Sequence, residues 1–333
     1  TVTASKISDE DITVTLSTSG TATDGTDYSA VNGSSLTITA GTTTATKTFT
    51  ITDNSIYEGN ETVIVAISTV SGGSATENGT QTETITITEN ESAPTITLST
   101  STSSVAENSG TIVTLTVTSS QAADEDITVT LASSGTATDG TDYSSVNSSS
   151  LTITTGTTTA TKTFTITDNS IYEGNETIIV SINTVSGGGA AESETQTETI
   201  TITENESAPT VSIDVDGATS ASVYDNGSNL TLTATSTQIS DEAITVVIGT
   251  SVGGATEGTD YAVISDITIA AGATTGTAIF NPTADTVNEG SETETVSITS
   301  VSGADSTTSG TSSISITINE YALRTGTAFT EGT

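Results

Sequence analysis

The chain of 333 residues contains no cysteine, no histidine, no methionine and no tryptophan. Without cysteine the fold has no disulfide and no thiolate ligand for a soft metal. Without histidine or cysteine the usual nucleophile and base pairs of hydrolases are missing. Without tryptophan we do not expect the aromatic cleft in which a glycosidase holds its sugar. We therefore predict that the protein is not an enzyme.

Basic residues are also scarce, with four lysines and arginines against 41 acidic residues and a formal net charge of −37. A charge of this sign repels phosphate backbones and anionic membrane surfaces, so we expect no nucleic acid partner. No run of 18 apolar residues is present, so we expect no insertion into a membrane. Self-repulsion destabilises a compact fold unless cations offset it, which predicts a medium rich in divalent ions or salt.

The apolar residues are few, at 32% of the chain with 3% aromatics, and most of them are β-branched or alanine. Such a composition favours strands over helices. The lack of easily oxidised side chains favours an extracellular or cell-surface location. The sequence begins in mid-pattern with "TVTASKISDED" and shows no signal peptide, so we interpret it as a mature or excised segment.

The chain contains internal repeats. The stretch "DEDITVTL" at 9–16 recurs at 124–131, which is 115 residues later, and a diverged third copy keeps "GTDY" at 258–261. A period of this length indicates tandem whole domains rather than a solenoid. We predict three repeats and a tail, at 1–91, 92–206, 207–320 and 321–333.

Within the second repeat, residues of alternating polarity form short runs between clusters of Gly, Ser, Asn and Asp. These runs lie at 95–100, 111–119, 126–132, 150–154, 161–167, 176–184 and 197–204. Seven such strands are typical of an antiparallel sandwich. We therefore predict an all-β chain of three tandem seven-stranded, immunoglobulin-like β-sandwiches in an elongated array. Phe164 and Ile166 are expected to face the core.

Acidic residues recur at the ends of the predicted strands. The stretch "ITDNSIYEGNE" stands at 51–61 and again at 166–176, and a diverged "TADTVNEGSE" lies at 283–292. Alternate strands of a sandwich end at one pole, so these carboxylates should converge there and repel, by roughly 4 kcal/mol for two charges 4 Å apart at an effective dielectric of about 20. Oxygen ligands alone select a hard cation, and a flexible set suits Ca²⁺ better than Mg²⁺. The alternative is that the acids are simply solvated, but their recurrence at fixed offsets favours metal.

The pattern of Glu107, "GTDY", "ITDNSIYEGNE" and the terminal "TITENE" resembles the Calx-β domain, a calcium-binding sandwich of sodium/calcium exchangers that also occurs in bacterial surface proteins. The resemblance covers nearly the whole chain and implies a set of calcium ligands in each repeat. In the first repeat these are Asp27, Asp53, Glu58, Glu61, Glu89 and Glu91; in the second Glu107, Asp142, Asp168, Glu173, Glu176, Glu204 and Glu206; in the third Asp225, Asp260, Asp285, Glu289, Glu292 and Glu320. Asn169 and Asn205 replace acids that are common in the family, which implies fewer or weaker ions.

The two ends of the sequence differ from the interior of the array. The first repeat lacks a counterpart of the strand at 95–107, and the tail "FTEGT" at 329–333 resembles "VAENSGT" at 105–111. The match places Glu331 where Glu107 stands, so Glu331 is a further candidate ligand. Two explanations stay open. The sequence is a window of a longer array, or the tail of one chain completes the first repeat of the next in a head-to-tail filament.

These observations predict a structural calcium-binding protein, namely an extracellular filament, stalk or adhesin segment. Calcium at the domain poles would fix the orientation of the domains, and the partners would be other copies of the chain. The alternative is a calcium-dependent adhesive module that binds a carbohydrate or another cell surface. The near identity of the first two repeats favours the spacer, because a ligand site should be unique to one repeat.

Overall fold

The computed structural model describes residues 1–251, 254–287 and 289–321. Strands joined by turns build three successive β-domains, so the predicted all-β fold is confirmed. Within these ranges the one helical segment is a 3-10 turn, Glu107–Ser109. No helix of the described residues has the length and apolar character that crossing a membrane requires.

We call residues 1–91 domain one, and they contain six strands. They are β1 (Val2–Thr3), β2 (Ile12–Gly20), β3 (Ser35–Ile38), β4 (Thr44–Ala45), β5 (Glu61–Ser71) and β6 (Thr82–Ile87). An antiparallel sheet has the order β3-β2-β5-β6, while β1 pairs only with β4. Within the part of the chain that the structure describes, the outer edge of β6 has no neighbouring strand.

We call residues 92–206 domain two, and they contain nine strands. They are β7 (Thr95–Thr100), β8 (Ser104–Ala106), β9 (Ile112–Ser119), β10 (Ile127–Gly135), β11 (Ser150–Ile153), β12 (Thr159–Thr165), β13 (Glu176–Ser186), β14 (Ala191–Glu192) and β15 (Thr197–Thr203). The two sheets have the orders β11-β10-β13-β15-β8 and β12-β9-β7-β14. The seven predicted runs all form strands. The further strands β8 and β14 are too short to show alternation, and they pair in parallel with β15 and β7.

We call residues 207–320 domain three, and their described part repeats this arrangement. Its strands are β16 (Thr210–Val215), β17 (Ser220–Tyr224), β18 (Leu230–Ser236), β19 (Ile244–Thr250), β20 (Ile267–Ile269), β21 (Thr275–Phe280), β22 (Glu292–Ser302), β23 (Thr307–Thr308) and β24 (Ser313–Asn319). The sheets have the orders β17-β24-β22-β19-β20 and β21-β18-β16-β23. Thus β17 lies parallel to β24 as β8 lies parallel to β15.

The cores lie between the two sheets and are built by strand alternation. In β15, Ile200 and Ile202 are buried while the threonines beside them face the other side of the sheet. Phe164 and Ile166 are buried, as the sequence predicts. The ring of Phe164 packs 5.7 Å, centroid to centroid, from that of Tyr143. The core of domain two therefore reaches to the turn that carries Asp142.

Both joints between domains use the same contact. Tyr57 forms a parallel β-bridge with Ala123 of domain two, and Tyr172 forms one with Ser240 of domain three. The backbone N–H of Tyr57 donates to the carbonyl of Ala122 over 2.9 Å, and that of Tyr172 donates to the carbonyl of Ile239 over 2.8 Å. The loop that precedes β5 or β13 therefore lies against the following domain.

Candidate metal centres

The first group of carboxylates in domain two lies where a turn meets the loop before β13. We call Asp142, Glu173 and Glu176 the turn cluster of domain two, and they offer oxygens that all lie within 4.8 Å of one another. Asp142 is only 7% exposed, and its Oδ2 accepts a hydrogen bond from the N–H of Thr138 over 2.6 Å. The N–H of Thr167 donates to the Asp142 carbonyl over 2.8 Å, so the turn and the loop are held together.

Gly135, at the end of β10, allows this close approach. Its φ is +120°, and an added Cβ would lie 2.1 Å from the carbonyl oxygen of Thr177. The same carbonyl accepts from the N–H of Ala137 over 3.1 Å. A side chain at position 135 would therefore separate the turn from β13 and move Asp142 away from Glu176.

A second group lies where two parallel strands end. We call Glu107, Glu204 and Glu206 the strand-end cluster of domain two, and their oxygens also lie within 4.8 Å of one another. Glu107 follows β8 and Glu204 follows β15, so the parallel pairing brings both out of the sheet at one end. Glu206 follows in the same extended segment. Its Oε2 is buried and has no hydrogen-bond partner among the described residues.

The loop at 168–176 connects the two clusters. Glu204 Oε2 accepts from the backbone N–H of Glu173 over 2.6 Å and from that of Gly174 over 2.9 Å. Glu107 Oε1 accepts from the N–H of Asn169 over 3.2 Å. Asp168, a predicted ligand, is not within either cluster, but its charge acts on Glu206. Four separate chain segments therefore meet at one pole.

The crowding of negative charge shifts the pKa values of these carboxyl groups. Burial raises the pKa of Glu107 to about 7, and the charge of Glu204 adds to the rise. Burial, followed by the charges of Asp142 and Glu173, raises the pKa of Glu176 to about 7. Burial would also raise the pKa of Glu204, but backbone hydrogen bonds outweigh it and lower the pKa. In the ionised state the clusters therefore need positive charge.

Domain one has the same turn cluster, made of Asp27, Glu58 and Glu61. Burial and then the charge of Asp27 raise the pKa of Glu61 to about 7. Glu89 Oε2 accepts from the N–H of Glu58 over 2.6 Å, so the strand end again holds the loop. Near it, Asp53 Oδ1 accepts from Asn90 Nδ2 over 3.3 Å.

Among its described residues, domain one has counterparts of only two members of the strand-end cluster, namely Glu89 and Glu91. The charge of Glu89 acts on Glu91, and their backbone and side-chain contacts follow those of Glu204 and Glu206. The described residues of domain one contain no counterpart of Glu107. The predicted ligand Glu331 lies outside the described residues.

In domain three the turn cluster is made of Asp260, Asp285 and Glu289. Asp225, Glu292 and Glu320 line the same depression. The loop differs from that of domain two at several positions, and one of these differences bears on the cluster. Asp285 Oδ1 accepts from the N–H of Val287 over 2.6 Å, as Asn169 Oδ1 does from Ile171, so Asp285 takes the place of an asparagine.

Two acidic residues near the clusters were not in the predicted set. Burial, followed by the charges of Glu125, Asp27 and Glu89, raises the pKa of Asp124 in domain two. Burial and then Glu242 raise the pKa of Asp241 in domain three, and the charge of Asp142 contributes. Both belong to the domain that follows the cluster. The sequence shows that these aspartates recur, in "DED" at 124–126 and "DEA" at 241–243. It does not show that they lie near the preceding domain.

The sequence model of the Calx-beta domain family matches the chain three times, over residues 1–91, 89–206 and 211–321. A search of curated proteins gives no match.

Several solved structures are similar to the chain at low identity. The crystal structure of CBD12 from CALX1.2 is 14% identical with a TM-score of 0.31, and the alignment covers 68% of this chain and 100% of that one. The crystal structure of the calcium binding domain CBD12 of CALX1.1 is 14% identical with a TM-score of 0.28, covering 64% and 95%. Domains 4 and 5 of the S-layer protein SbsC are 16% identical with a TM-score of 0.22, covering 68% and 98%.

Proposed function

The chain belongs to the Calx-beta domain family, and we propose that it is a structural calcium-binding repeat protein in which Ca²⁺ at the domain poles stiffens an extracellular array. The observation that carries this proposal is the double role of one loop. Residues 168–176 supply Glu173 and Glu176 to the turn cluster, and in the same stretch Tyr172 bonds to domain three. Ordering this loop therefore orders the joint.

The donor set of the clusters suits calcium. Every candidate ligand is a carboxylate, which a hard divalent cation prefers, and the chain has no imidazole or thiolate. In domain two the buried Glu206 Oε2 has no hydrogen-bond partner among the described residues, and a cation beside it would satisfy this oxygen. Bound Ca²⁺ would supply the positive charge that the ionised carboxylates need.

The contribution of the chain is to hold these oxygens in place. Glu204 accepts from two backbone N–H groups of the loop and thereby fixes the position of Glu173. The hydrogen bond from Thr138 N–H fixes Asp142 from the other side. Occupancy at ten times the dissociation constant would add about 1.4 kcal/mol per site to the free energy of unfolding. This gain is useful for domains with few large apolar residues.

A calcium titration of the whole chain tests this function. We expect the unfolding temperature to rise with calcium concentration and to return on chelation, because the folded state alone assembles the clusters. The double variant Asp142→Asn with Glu176→Gln should lose part of this rise. Glu83→Gln, an exposed acid on β6 outside the clusters, should keep it. An unfolding temperature that is indifferent to calcium would refute the proposal.

For assembly, we propose that the open face of domain one receives a strand of the type of β7 and β8. A groove of about 570 Å³ there is lined by Val2, Leu16 and Phe49, among others, and Ile85 at its edge is 39% exposed. In domain two the equivalent Ile200 is covered completely. The strand would come from a preceding domain of a longer array or, in a head-to-tail filament, from another copy of the chain.

Electron microscopy of the chain with and without a chelator tests the array. Straight fibres that loosen on chelation support a calcium-stiffened filament. A chain shortened to residues 1–320 separates the two sources of the strand, because donation by the tail requires residues 321–333. Fibres that persist after this shortening would contradict donation, and globular, chelator-indifferent particles would contradict the array.

One observation favours the alternative of an adhesive module. Tyr224 and Tyr321 stand at the pole of domain three, 55% and 54% exposed, with their rings in a T-shaped arrangement 6.4 Å apart. In domain two Ala106 takes the place of Tyr224, as the parallel strand pairing shows. Exposed aromatic faces can stack on sugars. Glycan binding that needs calcium and is lost in Tyr224→Ala would support this role, whereas binding unchanged by the substitution would not.

A further inference from the structure

The second joint holds a loop near the start of domain three against a loop of domain two. The carbonyl of Ile239 accepts from the N–H of Tyr172 over 2.8 Å, and the N–H of Asp241 donates to the carbonyl of Tyr172 over 3.3 Å. The side chain of Gln238 adds a third bond, since its Nε2 donates to the carbonyl of Ser170 over 2.8 Å. Three hydrogen bonds between the two loops thus hold this joint.

Domain one contains the same docking loop, and nothing in the described chain covers it. The sequence is "KISDE" at 6–10 and "QISDE" at 238–242. The N–H of Glu10 donates to Ser8 Oγ over 3.0 Å, and domain three has the equivalent bond of the same length. Ile7 is 68% exposed, whereas the equivalent isoleucine at the second joint is half-buried. We call residues 6–10 the free docking loop.

The free docking loop offers the two backbone groups that the second joint uses. Neither the carbonyl of Ile7 nor the N–H of Asp9 has a backbone hydrogen-bond partner among the described residues. The equivalent groups of domain three both bond to Tyr172. A donor and an acceptor placed in this way can form a parallel β-bridge with a further loop of the same kind.

Domain three presents a matching loop at its other end. Asp285 Oδ1 accepts from the N–H of Val287 over 2.6 Å, and the loop before β13 has the equivalent bond of the same length. Thr286 therefore takes the place of Ser170, whose carbonyl accepts at the second joint. Val287 is 57% exposed, whereas the equivalent Ile171 is half-buried against the next domain. The contact surface of this loop is thus free.

The free docking loop carries a positive charge that the two occupied loops lack. Lys6 takes the place of Gln121 and Gln238, and it is one of four basic residues in the chain. The loop of domain three is acidic, since Asp285 and Glu289 belong to its turn cluster. Lysine and glutamine both donate to a carbonyl, but only lysine attracts carboxylates.

This difference in charge fits a joint between separate chains. The two internal joints are tethered by short linkers, which give a high effective concentration. Two separate copies lack this tether, and their large negative charges repel. A lysine that faces an acidic loop offsets part of that repulsion.

We propose that the free docking loop of one copy binds the loop at 285–287 of a second copy, with the ammonium group of Lys6 donating to the carbonyl of Thr286. The inference rests on the proposed array and names a contact that propagates it. Each new joint repeats an internal one, so successive copies continue the same arrangement of domains. In the sequence Asn288 stands at the position of Tyr172, so this joint lacks the tyrosine and depends more on Lys6.

Sedimentation of the full chain over a range of concentrations, in saturating calcium, tests the contact. Lys6→Gln installs the residue of the internal joints and should weaken the association of copies about tenfold. Lys6→Glu should weaken it roughly a hundredfold, because a like charge then faces the acidic loop. Lys162→Gln is the matched control, since it removes the same charge from the middle of β12, outside both joints. We expect it to leave the association unchanged.

A charge swap identifies the partner loop. Adding Thr286→Lys to the Lys6→Glu chain should restore association, because opposite charges then face each other again. If it does not, Lys6 acts on another surface and the proposed contact is overturned. Equal weakening by Lys6→Gln and Lys162→Gln would show an effect of net charge alone, which refutes the contact while the array stands. If the unaltered chain does not associate, the proposed array of copies itself fails. Hydrogen exchange of β2 and β22 peptides verifies that each variant is folded.

Discussion

Domains one and two share a stretch of sequence that adopts two structures. Residues 44–61 and 159–176 are identical letter for letter. In domain two this stretch forms β12, which pairs with β9 over seven residues. In domain one the part of this stretch before β5 forms only the two-residue strand β4, Thr44–Ala45, which pairs with the two residues of β1. The difference lies in the partner, because domain one has only a short counterpart of β9 among its described residues.

The comparison shows that strand formation here depends on a partner more than on local preference. Extended backbone needs N–H and C=O groups to pair with, and a lone alternating sequence has none. Burial follows the same rule. Ile166 is 9% exposed in domain two, whereas the equivalent Ile51 is 48% exposed in domain one. Identical side chains therefore contribute little to the stability of domain one until a strand covers them.

The largest expected effect comes from supplying that strand. Thr1 corresponds to Thr116, so residues 92–115 placed before Thr1 would rebuild the missing part of the sandwich. We expect the free energy of unfolding of domain one to rise by about 5 kcal/mol, because several apolar side chains become buried. Hydrogen exchange in increasing urea, read from peptides of β2, measures the change. The same experiment should show residues 46–50 protected as a strand.

A prefix with Ile96, Leu98 and Val113 changed to serine is the control, because these residues are buried in the core of domain two. It should extend the chain equally and stabilise domain one far less. Equal gains from both prefixes would mean that chain length and not core burial stabilises the domain. That result would contradict the explanation given for the two structures.

A smaller effect separates two isoleucines of identical local sequence. Ile200 on β15 is fully buried and Ile85 on β6 is 39% exposed. Ile200→Ala should cost domain two about 3 kcal/mol, whereas Ile85→Ala should cost domain one about 1 kcal/mol, because a cavity forms only where the surroundings are closed. Urea unfolding in chelator, with β2 and β10 peptides as the separate readouts, compares them. Equal losses would show that Ile85 is covered in solution, for example by another chain.

The sequence was sufficient to predict what depends on local pattern and repetition. Alternating runs of β-branched residues predict strands such as β15, which the structure contains. The repeated acids mark Asp142 and Glu204 as candidate ligands, and the structure places each of them in a group of carboxylates. The short strands β8 and β14 could not be predicted, because two or three residues show no period. The position of Asp124 near Glu61 depends on how two domains dock, which no local pattern encodes.

The smallest expected difference between the two domains is in their response to pH without metal. In domain two the pKa values of Glu107 and Glu176 are about 7, and in domain one only Glu61 reaches that value. A carboxyl group whose pKa is raised by folding stabilises the folded state fully when the pH is below its pKa in the unfolded chain. This stabilisation is lost as the pH rises through its pKa in the folded state. The unfolding free energy should therefore fall between pH 4.5 and about 7 in both domains, by about 1 kcal/mol per group after solvent screening.

The fall should be about twice as large in domain two, and calcium should abolish it, because the metal binds the ionised carboxylates. Below pH 4.5 the unfolding free energy should instead fall as the pH falls. Backbone hydrogen bonds outweigh burial and lower the pKa of Glu89 to about 2, so the stabilisation that ionised Glu89 provides is lost when acid protonates it.

Equilibration in urea at each pH, followed by a deuterium pulse at one fixed pH, measures the unfolding free energy of both domains in one sample. Glu107→Gln should make domain two respond like domain one. If the unfolding free energy falls equally with pH in the two domains of the unaltered chain, Glu107 is not held in the crowded cluster. The strand end of domain two, with Glu107, would then not differ in this respect from that of domain one.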